Sequence, residues 1–347
     1  MRIDLPRYWY SRSFHFLTVL LLPFSWLFAL IVQFRRWLYQ VGLLKTQRFP
    51  VPIIVVGNIV VGGTGKTPCV LWLVNFLEKH GYSPGIVSRG VGGIKHQQAH
   101  IVQSTDSPQR VGDEAVLLRR NTQCPIVVCL NRAEAVRKLL KQFTCNIVIS
   151  DDGLQHYSLG RDIEIVMIDG VRYFGNLHLL PAGPLRESVK RLHNVDFVVV
   201  NGGDERNAYT MTLLPTQFVS MNNFQEKIDC VHFPYKNIHA VAGIGHPERF
   251  FSTLKTLGFT IKPHSFKDHY SYDAHDFEFK DEYPIVMTEK DAVKCFSFAD
   301  QRYWYLSITA KMNKRLEQEL LLKIKKLEVN NVPVQKNSSK FSDPTSC

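Results

Sequence analysis

The seven cysteines of this 347-residue chain, Cys69, Cys124, Cys129, Cys145, Cys230, Cys295 and Cys347, include no C-x-x-C pair. Such scatter suggests neither a zinc site nor a disulfide framework and fits a reducing, cytosolic setting. Internal repeats and long low-complexity tracts are also absent, which sets aside solenoid and fibrous architectures. Acidic residues are in deficit, with 31 Asp and Glu against 42 Lys and Arg and a net charge of +11. A surface of that sign attracts anions, whether nucleic acid, anionic lipid headgroups or phosphorylated substrates. No recognisable RNA- or DNA-binding motif accompanies the charge, so nucleic acid is not an expected partner. The remaining composition, 45% apolar and 21% charged, is that of a globular chain long enough for two domains.

One stretch lacks charge altogether. Phe14 to Phe34 has no Asp, Glu, Lys or Arg over 21 positions, and as a helix it would extend about 30 Å, the thickness of a bilayer core. Arg2, Arg7 and Arg12 precede it and Arg35, Arg36, Lys45 and Arg48 follow it, so positive charge at both ends gives no orientation. A helix held at one interface explains that symmetry better than a span. Pro23 and the polar His15, Thr18, Ser25 and Gln33 weigh the same way. No small-residue cleavage motif follows, which argues against a secretory signal peptide. A buried core helix is the alternative, disfavoured because cytosolic helices so uniformly apolar are uncommon.

Past Pro50 and Pro52 the run "IIVVGNIVV" reads as a strand, followed by glycines and by "TPCVLWLVNFLEKHGY", whose Val70, Leu71, Val74 and Leu77 repeat at helical spacing until Gly81. Further β-branched runs, "PGIVSRG", "PIVVCL", "NIVISDDG", "IEIVMIDG" and "DFVVVNGG", are the pattern of buried parallel strands. A second unit begins near residue 236, with "NIHAVAGIG" as a strand, "HPERFFSTLKTLGF" as a helix, "PIVMTEKDAVKCF" as strand and helix, and "RYWYLSI" as a late strand. The expected organisation is a membrane-associating helix in 1–49, a nucleotide-binding domain in 50–235, a smaller α/β domain in 236–330 and a disordered tail in 331–347. The fold class is therefore α/β, a mostly parallel sheet of the P-loop type with a second, smaller α/β domain and an apolar N-terminal helix.

The segment "VGGTGKT" decides the chemistry. A phosphate-binding loop wraps phosphate in backbone N–H groups at a helix N-terminus, with lysine reaching the terminal phosphates and threonine holding magnesium. Gly62, Gly63, Thr64, Gly65, Lys66 and Thr67 supply these parts between a strand and a helix. The strict pattern wants a glycine where Val60 stands, so the first glycine is displaced to position 62 and Val60 is read as part of the feeding strand. Asp151 and Asp152 close an apolar run, the layout of a metal-binding strand end, although adjacent acids also cap helices and make turns. Asp113 and Glu114 open a helix after Gly112, where they serve as acid–base groups or as plain N-terminal charge. Asp268, His269 and His275 lie in an aromatic, loop-like stretch.

Together these segments resemble one family, the tetraacyldisaccharide 4'-kinases, which phosphorylate the lipid A disaccharide 1-phosphate in Gram-negative bacteria. "VGNIVVGGTGKTP", "SRGVGG", "VGDEA", "ISDDGLQH", "LLPAGPLRE", "AVAGIGHPERFF", "FKDHYSY" and "MTEKDAVK" occur in the family's order. The family's loop carries the same displaced glycine. The resemblance implies a lipid kinase that moves the γ-phosphate of ATP to the 4'-hydroxyl, forming lipid IVA. It implies Mg2+-ATP at Gly62 to Thr67, Asp113 working with His269 on the hydroxyl, Lys66 on the phosphates, and Thr67, Asp151 and Asp152 with Glu114 in support around magnesium. Arg186, Glu187, Gln155 and His156 fall in shared segments and are expected near the substrate. It also implies the cytoplasmic face of the inner membrane, with residues 14–34 on an anionic lipid surface and no obligate protein partner. The chain departs from the family at Val91, where tyrosine is the tendency, Leu154, where an aromatic is usual, and His246, where asparagine is common. A membrane-associated P-loop ATPase or GTPase coupled to a partner is the competing expectation; it needs the glycine loop and paired aspartates but not Asp113 with His269.

Overall fold

Short β-branched runs form the strands and the longer amphipathic segments between them form the helices, in a computed structural model that describes residues 8–10, 16–203 and 208–331. Arg2, Arg7, Arg12, Phe14, His15 and the expected tail beyond residue 331 lie outside the described residues. Helix α1 (Phe16–Gln40) continues through Pro23. Strand β1 (Ile53–Gly57) leads to the glycine loop and α2 (Lys66–Lys79) leaves it. There follow β2 (Pro84–Ser88), β3 (His100–Ile101), the single turn α3 (Pro108–Val111), α4 (Asp113–Asn121) and β4 (Ile126–Val128). Next come α5 (Arg132–Gln142), β5 (Ile147–Asp151), β6 (Ile163–Asp169), β7 (Phe197–Asn201), β8 (Tyr209–Ser220) and β9 (Lys227–Asp229). The last third holds β10 (Asn237–Ala242), α6 (Pro247–Thr256), β11 (Thr260–Ser265), β12 (Ile285–Thr288), α7 (Glu289–Ala292), β13 (Tyr303–Met312) and α8 (Lys314–Asn331).

The thirteen strands of the described residues share one sheet, ordered β11-β10-β12-β13-β8-β7-β6-β1-β5-β2-β4-β3, with β9 beside β8. Pairings are parallel except β3 with β4, β8 with β9, and the long β8–β13 pair. That pair joins the halves before and after residue 236, with Met211 opposite Met312 and Ser220 opposite Trp304. It also reverses strand direction across the sheet, so the two halves form one mixed sheet.

Alternation along β1 explains its uninterrupted hydrophobicity. Ile54 and Val56 pack with Val70, Leu73, Val74 and Leu77 of α2 on one face, while Ile53 and Val55 pack with Ala133, Val136 and Leu139 of α5 on the other. A strand covered on both faces has no solvent side on which to place polar residues. The parallel register aligns Val56 with Asp151 and Asp169 with Asn201. The carboxyl ends of β1, β5, β6 and β7 thus share one edge, where open α/β sheets bind ligands.

Candidate active site

At that edge the chain leaves β1 after Gly57. Val60 is not part of the feeding strand: it lies beyond the strand's end and forms an isolated antiparallel bridge with Leu185. The reason is local, since Val61 N–H donates to the Pro184 carbonyl at 2.8 Å and Arg186 N–H to the Ile59 carbonyl at 2.7 Å. The displaced glycine spacing therefore seats the "PLRE" segment against the phosphate loop. Asn58, fully buried, braces the loop by donating to the Gly62 carbonyl and to Thr64 Oγ1, both at 3.2 Å. From the next strand end, Asn201 Nδ2 donates to the Thr64 carbonyl at 3.1 Å.

Gly65 stands at the N-cap of α2 with φ +91°, and a Cβ there would collide with the Asn201 amide. Left-handed backbone and close approach both exclude larger residues. We expect Gly65→Ala to destabilise the fold by about 1–3 kcal/mol, read by denaturant melting, and to weaken nucleotide binding. Native stability with native ATP affinity in Gly65→Ala would refute this reading of the loop. Gly245, on the turn after β10, makes a similar approach: its Cα side abuts the backbone N of Gly63.

Lys66 and Thr67 begin α2, both nearly buried. Lys66 Nζ lies 3.5 Å from Asp152 Oδ1, and Arg186 Nη1 is 3.1 and 3.2 Å from the two oxygens of the same carboxylate. Burial raises the Asp152 pKa, but Lys66 and Arg186 outweigh it and hold the carboxyl down at about 2. Asp151 is the opposite case. It is fully buried at the end of β5, and among the described residues neither carboxylate oxygen has a hydrogen-bond partner. Burial, with the charges of Glu114 and Asp152, pushes it up to about 7 despite Lys66 and Arg132. The two aspartates expected as a pair thus have different environments, one held by two cations and one buried without a hydrogen-bond partner among the described residues.

Asp113, 3% exposed, starts α4 and meets His269, whose Nδ1 lies 3.1 and 3.0 Å from its two oxygens. The pair spans 156 positions of sequence. His269 has a left-handed backbone, φ +59°, a conformation uncommon for non-glycine residues and a mark of functional loops. Burial raises the Asp113 pKa, but the His269 hydrogen bond and the Lys290 charge bring it below the ordinary value. The same hydrogen bond raises His269, against burial and Lys290. Glu114, expected beside magnesium, is bound by Lys290 Nζ at 3.2 Å.

Gln155 also braces the site: its Nε2 donates to the Asn58 carbonyl at 3.0 Å and to Glu187 Oε1 at 2.9 Å. Glu187, 3% exposed, also accepts from Tyr157 Oη. His156 is driven down to about 4 by burial and by the charges of Arg132 and Arg89, so it is neutral at physiological pH. These groups meet in a cavity of about 1300 Å³ lined by Gly62 to Thr67, Glu114, Asp152, Gln155, His156, Arg186, Glu187 and His269, with Phe28, Ile31, Val32 and Arg35 of α1 along it. Asp113 is not in the lining; it stands behind His269.

A family model described as tetraacyldisaccharide-1-P 4'-kinase matches residues 17–325. The chain belongs to this family. A tetraacyldisaccharide 4'-kinase of Nitrosococcus oceani is 50% identical over 305 residues, covering 86% of this chain and 88% of that one. One from Coxiella burnetii is 50% identical over 306 residues, covering 88% and 90%. The crystal structure of LpxK from Aquifex aeolicus in complex with ATP superposes with a TM-score of 0.73 at 29% identity, over 89% of this chain and 99% of that one.

Each of the three expected departures has a definite place in the kinase. Leu154 is fully buried, its Cβ against the space a side chain on Gly57 would need. His246 Nδ1 sits 3.3 Å from Asp169 Oδ2, beside Gly245 and the phosphate loop. Val91 lines the cavity. Sequence reasoning missed five residues of the site: Asn58, Arg89, Asp169, Asn201 and Lys290. Asp169 and Asn201 close the apolar runs "IEIVMIDG" and "DFVVVNGG", and a polar residue ending a buried strand was the available signal. Lys290 lay inside "MTEKDAVK" with nothing nearby in sequence to say what it faces.

Proposed function

We propose that the kinase transfers the γ-phosphate of ATP to the 4'-hydroxyl of a tetraacyldisaccharide 1-phosphate, at the cytoplasmic face of the bacterial inner membrane. The observation that carries this reading is that His269, backed by Asp113, faces the same cavity as the phosphate loop. A hydrolase needs only water positioning; an imidazole oriented by a carboxylate suits removal of a sugar hydroxyl proton as the phosphoryl group transfers in line. Asp113's oxygens are engaged by His269 and by the Glu114 N–H at 3.0 Å. His269 Nε2 is therefore the atom that takes the proton, with Asp113 fixing the tautomer.

Gly62 to Thr67 bind the ATP phosphates through backbone N–H groups and Lys66. The residues present fit magnesium, because Asp151 offers two buried oxygens without partners and magnesium is usually held by one or two carboxylates plus substrate phosphates. Thr67 and Asp151 would hold it, and it would neutralise charge on the transferring phosphates, while Asp152 stays engaged by Lys66 and Arg186. Glu114, committed to Lys290, is left out of that set. Arg35 and Arg89 line the cavity, and among the described residues neither pairs with a carboxylate. Their charges reach His156, which suits them to the substrate's 1-phosphate.

Helix α1 presents lipid-facing chemistry outward. Its buried residues are the polar Thr18 and Ser25, whereas Phe16, Phe24, Trp26, Leu30 and Phe34 are exposed. Ser25 Oγ donates to the Leu179 carbonyl at 2.5 Å and accepts from Ala182 N–H at 3.1 Å. A helix pinned at its middle to the body supports a monotopic position, with the apolar face in one leaflet and Arg35, Arg36, Lys45 and Arg48 near anionic headgroups, each worth about 1 kcal/mol. Acyl chains then stay in the leaflet while the sugar enters along α1. Removal of residues 1–40 should release the protein from anionic vesicles, measured by sedimentation; undiminished co-sedimentation would reject the anchor. The function itself is tested by ATP turnover with and without a lipid A disaccharide 1-phosphate. Turnover should depend on the acceptor, and fast hydrolysis indifferent to it would reject the kinase reading.

A further inference from the structure

We infer that Lys290 is a positioning residue for the transfer reaction, a cation that staples the loop carrying His269 onto the carboxylates at the start of α4. The inference rests on the function proposed above and adds a residue to which no role has been given. Lys290 Nζ lies 3.2 Å from Glu114 Oε1, 3.3 Å from Asp268 Oδ1 and 3.9 Å from Asp113 Oδ2. Two of those carboxylates belong to α4 and the third to the residue before His269. The lysine reaches them from the first turn of α7, just after β12, so three separate segments converge on one ammonium group.

Electrostatics gives the reason for the arrangement. Asp113, Glu114 and Asp268 are three carboxylates around one ammonium group, and Asp268 Oδ1 is also 3.9 Å from His269 Nε2. Without a cation among them, Asp268 would be repelled by the α4 carboxylates and would carry His269 away from Asp113. The rest of that loop is tied elsewhere: Phe266 N–H donates to the Ala242 carbonyl, Tyr270 Oη to Asp276 at 3.0 Å, and Phe266, Tyr270 and Tyr272 pack on one another. Those ties hold the loop to its own half and not to α4. Lys294, the other cation near Asp113, is occupied by Asp291 at 2.7 Å.

The lysine itself is firmly placed. Its side chain is 17% exposed, and its neighbour Asp291, fully buried, accepts from Gly243 N–H at 2.9 Å and Thr288 Oγ1 at 2.6 Å. Gly243 lies two residues before Gly245, which abuts the phosphate loop. The turn that sets Lys290 against the dyad is thus fastened to the backbone that abuts the phosphate loop.

The test is steady-state kinetics with ATP and a detergent-dispersed lipid A disaccharide 1-phosphate, with a thermal melt for every variant. Lys290→Met should lower kcat by about 10²-fold, the cost of misplacing a catalytic group by about an ångström, while KM for ATP stays within about threefold. Lys290→Arg keeps the charge and should recover at least about tenfold of that loss. In the Asp268→Asn, Lys290→Met double variant the repulsion is relieved, so its kcat should exceed that of Lys290→Met alone, a non-additivity that loss of packing would not produce. The inference is overturned by a folded Lys290→Met with kcat within about threefold of native, or by a double variant no faster than Lys290→Met. If Lys290→Met does not fold, Lys290→Arg decides: kcat within about tenfold of native supports the staple, and a folded protein below that overturns it. Failure of the native enzyme to phosphorylate the acceptor would instead count against the function proposed above.

Discussion

Asp113→Asn lowers kcat by about 10²–10⁴-fold, the range supplied by general base catalysis, while ATP affinity stays near native. The split follows from where Asp113 sits: it is absent from the cavity lining and touches His269, Lys290 and its own helix, not the phosphate loop. Asparagine preserves shape but removes the charge that orients His269. The pH profile offers an independent check. His269 titrates above its ordinary 6.5 because Asp113 favours the imidazolium, and only the neutral ring can take a proton. The native kcat should therefore fall as pH drops through a value above 6.5, and in Asp113→Asn that acidic limb should move to lower pH. A native kcat in Asp113→Asn, or an acidic limb that stays in place, would remove Asp113 from the mechanism.

Lys66→Ala is expected to lose at least about 10²–10³-fold in kcat, the usual cost of deleting one preorganised charge at a reacting centre. It should also weaken ATP binding, which separates it from Asp113→Asn. The fold should survive, since Asp152 keeps the two Arg186 hydrogen bonds when the Lys66 ammonium is gone. Lys66 is the cation of the loop, and it lies within salt-bridge distance of Asp152, just past the end of β5. Equilibrium binding of a nucleotide and single-turnover transfer would report the two losses separately. Full single-turnover transfer in a folded Lys66→Ala would contradict the phosphate-loop assignment.

Much of this site was legible because its signals are local. A β-branched run, a glycine turn and an amphipathic helix follow one another within thirty residues of sequence, and each is dictated by its own neighbours. The buried strands β5, β6 and β7 were readable for the same reason. β8 was not: "YTMTLLPTQFVS" contains Pro215 and mixes polar with apolar residues, and it becomes a strand because β13 pairs with it. That pairing spans about a hundred residues and fuses what read as two domains into one sheet. Val60 failed at smaller scale, since its partner Leu185 is 125 positions away. Lys290 is the clearest case, because a lysine in a helix turn gains meaning only from Asp113, Glu114 and Asp268, and the fold alone supplies them.

In the proposed reaction the Asp113–His269 pair and the phosphate loop act on one sugar hydroxyl. The most direct measurement follows labelled γ-phosphate from ATP into purified tetraacyldisaccharide 1-phosphate and locates the new phosphate on the product. Label recovered on the 4'-oxygen, in amounts matching the ADP formed, is the predicted result. Label released as inorganic phosphate, with the disaccharide unchanged, would contradict it.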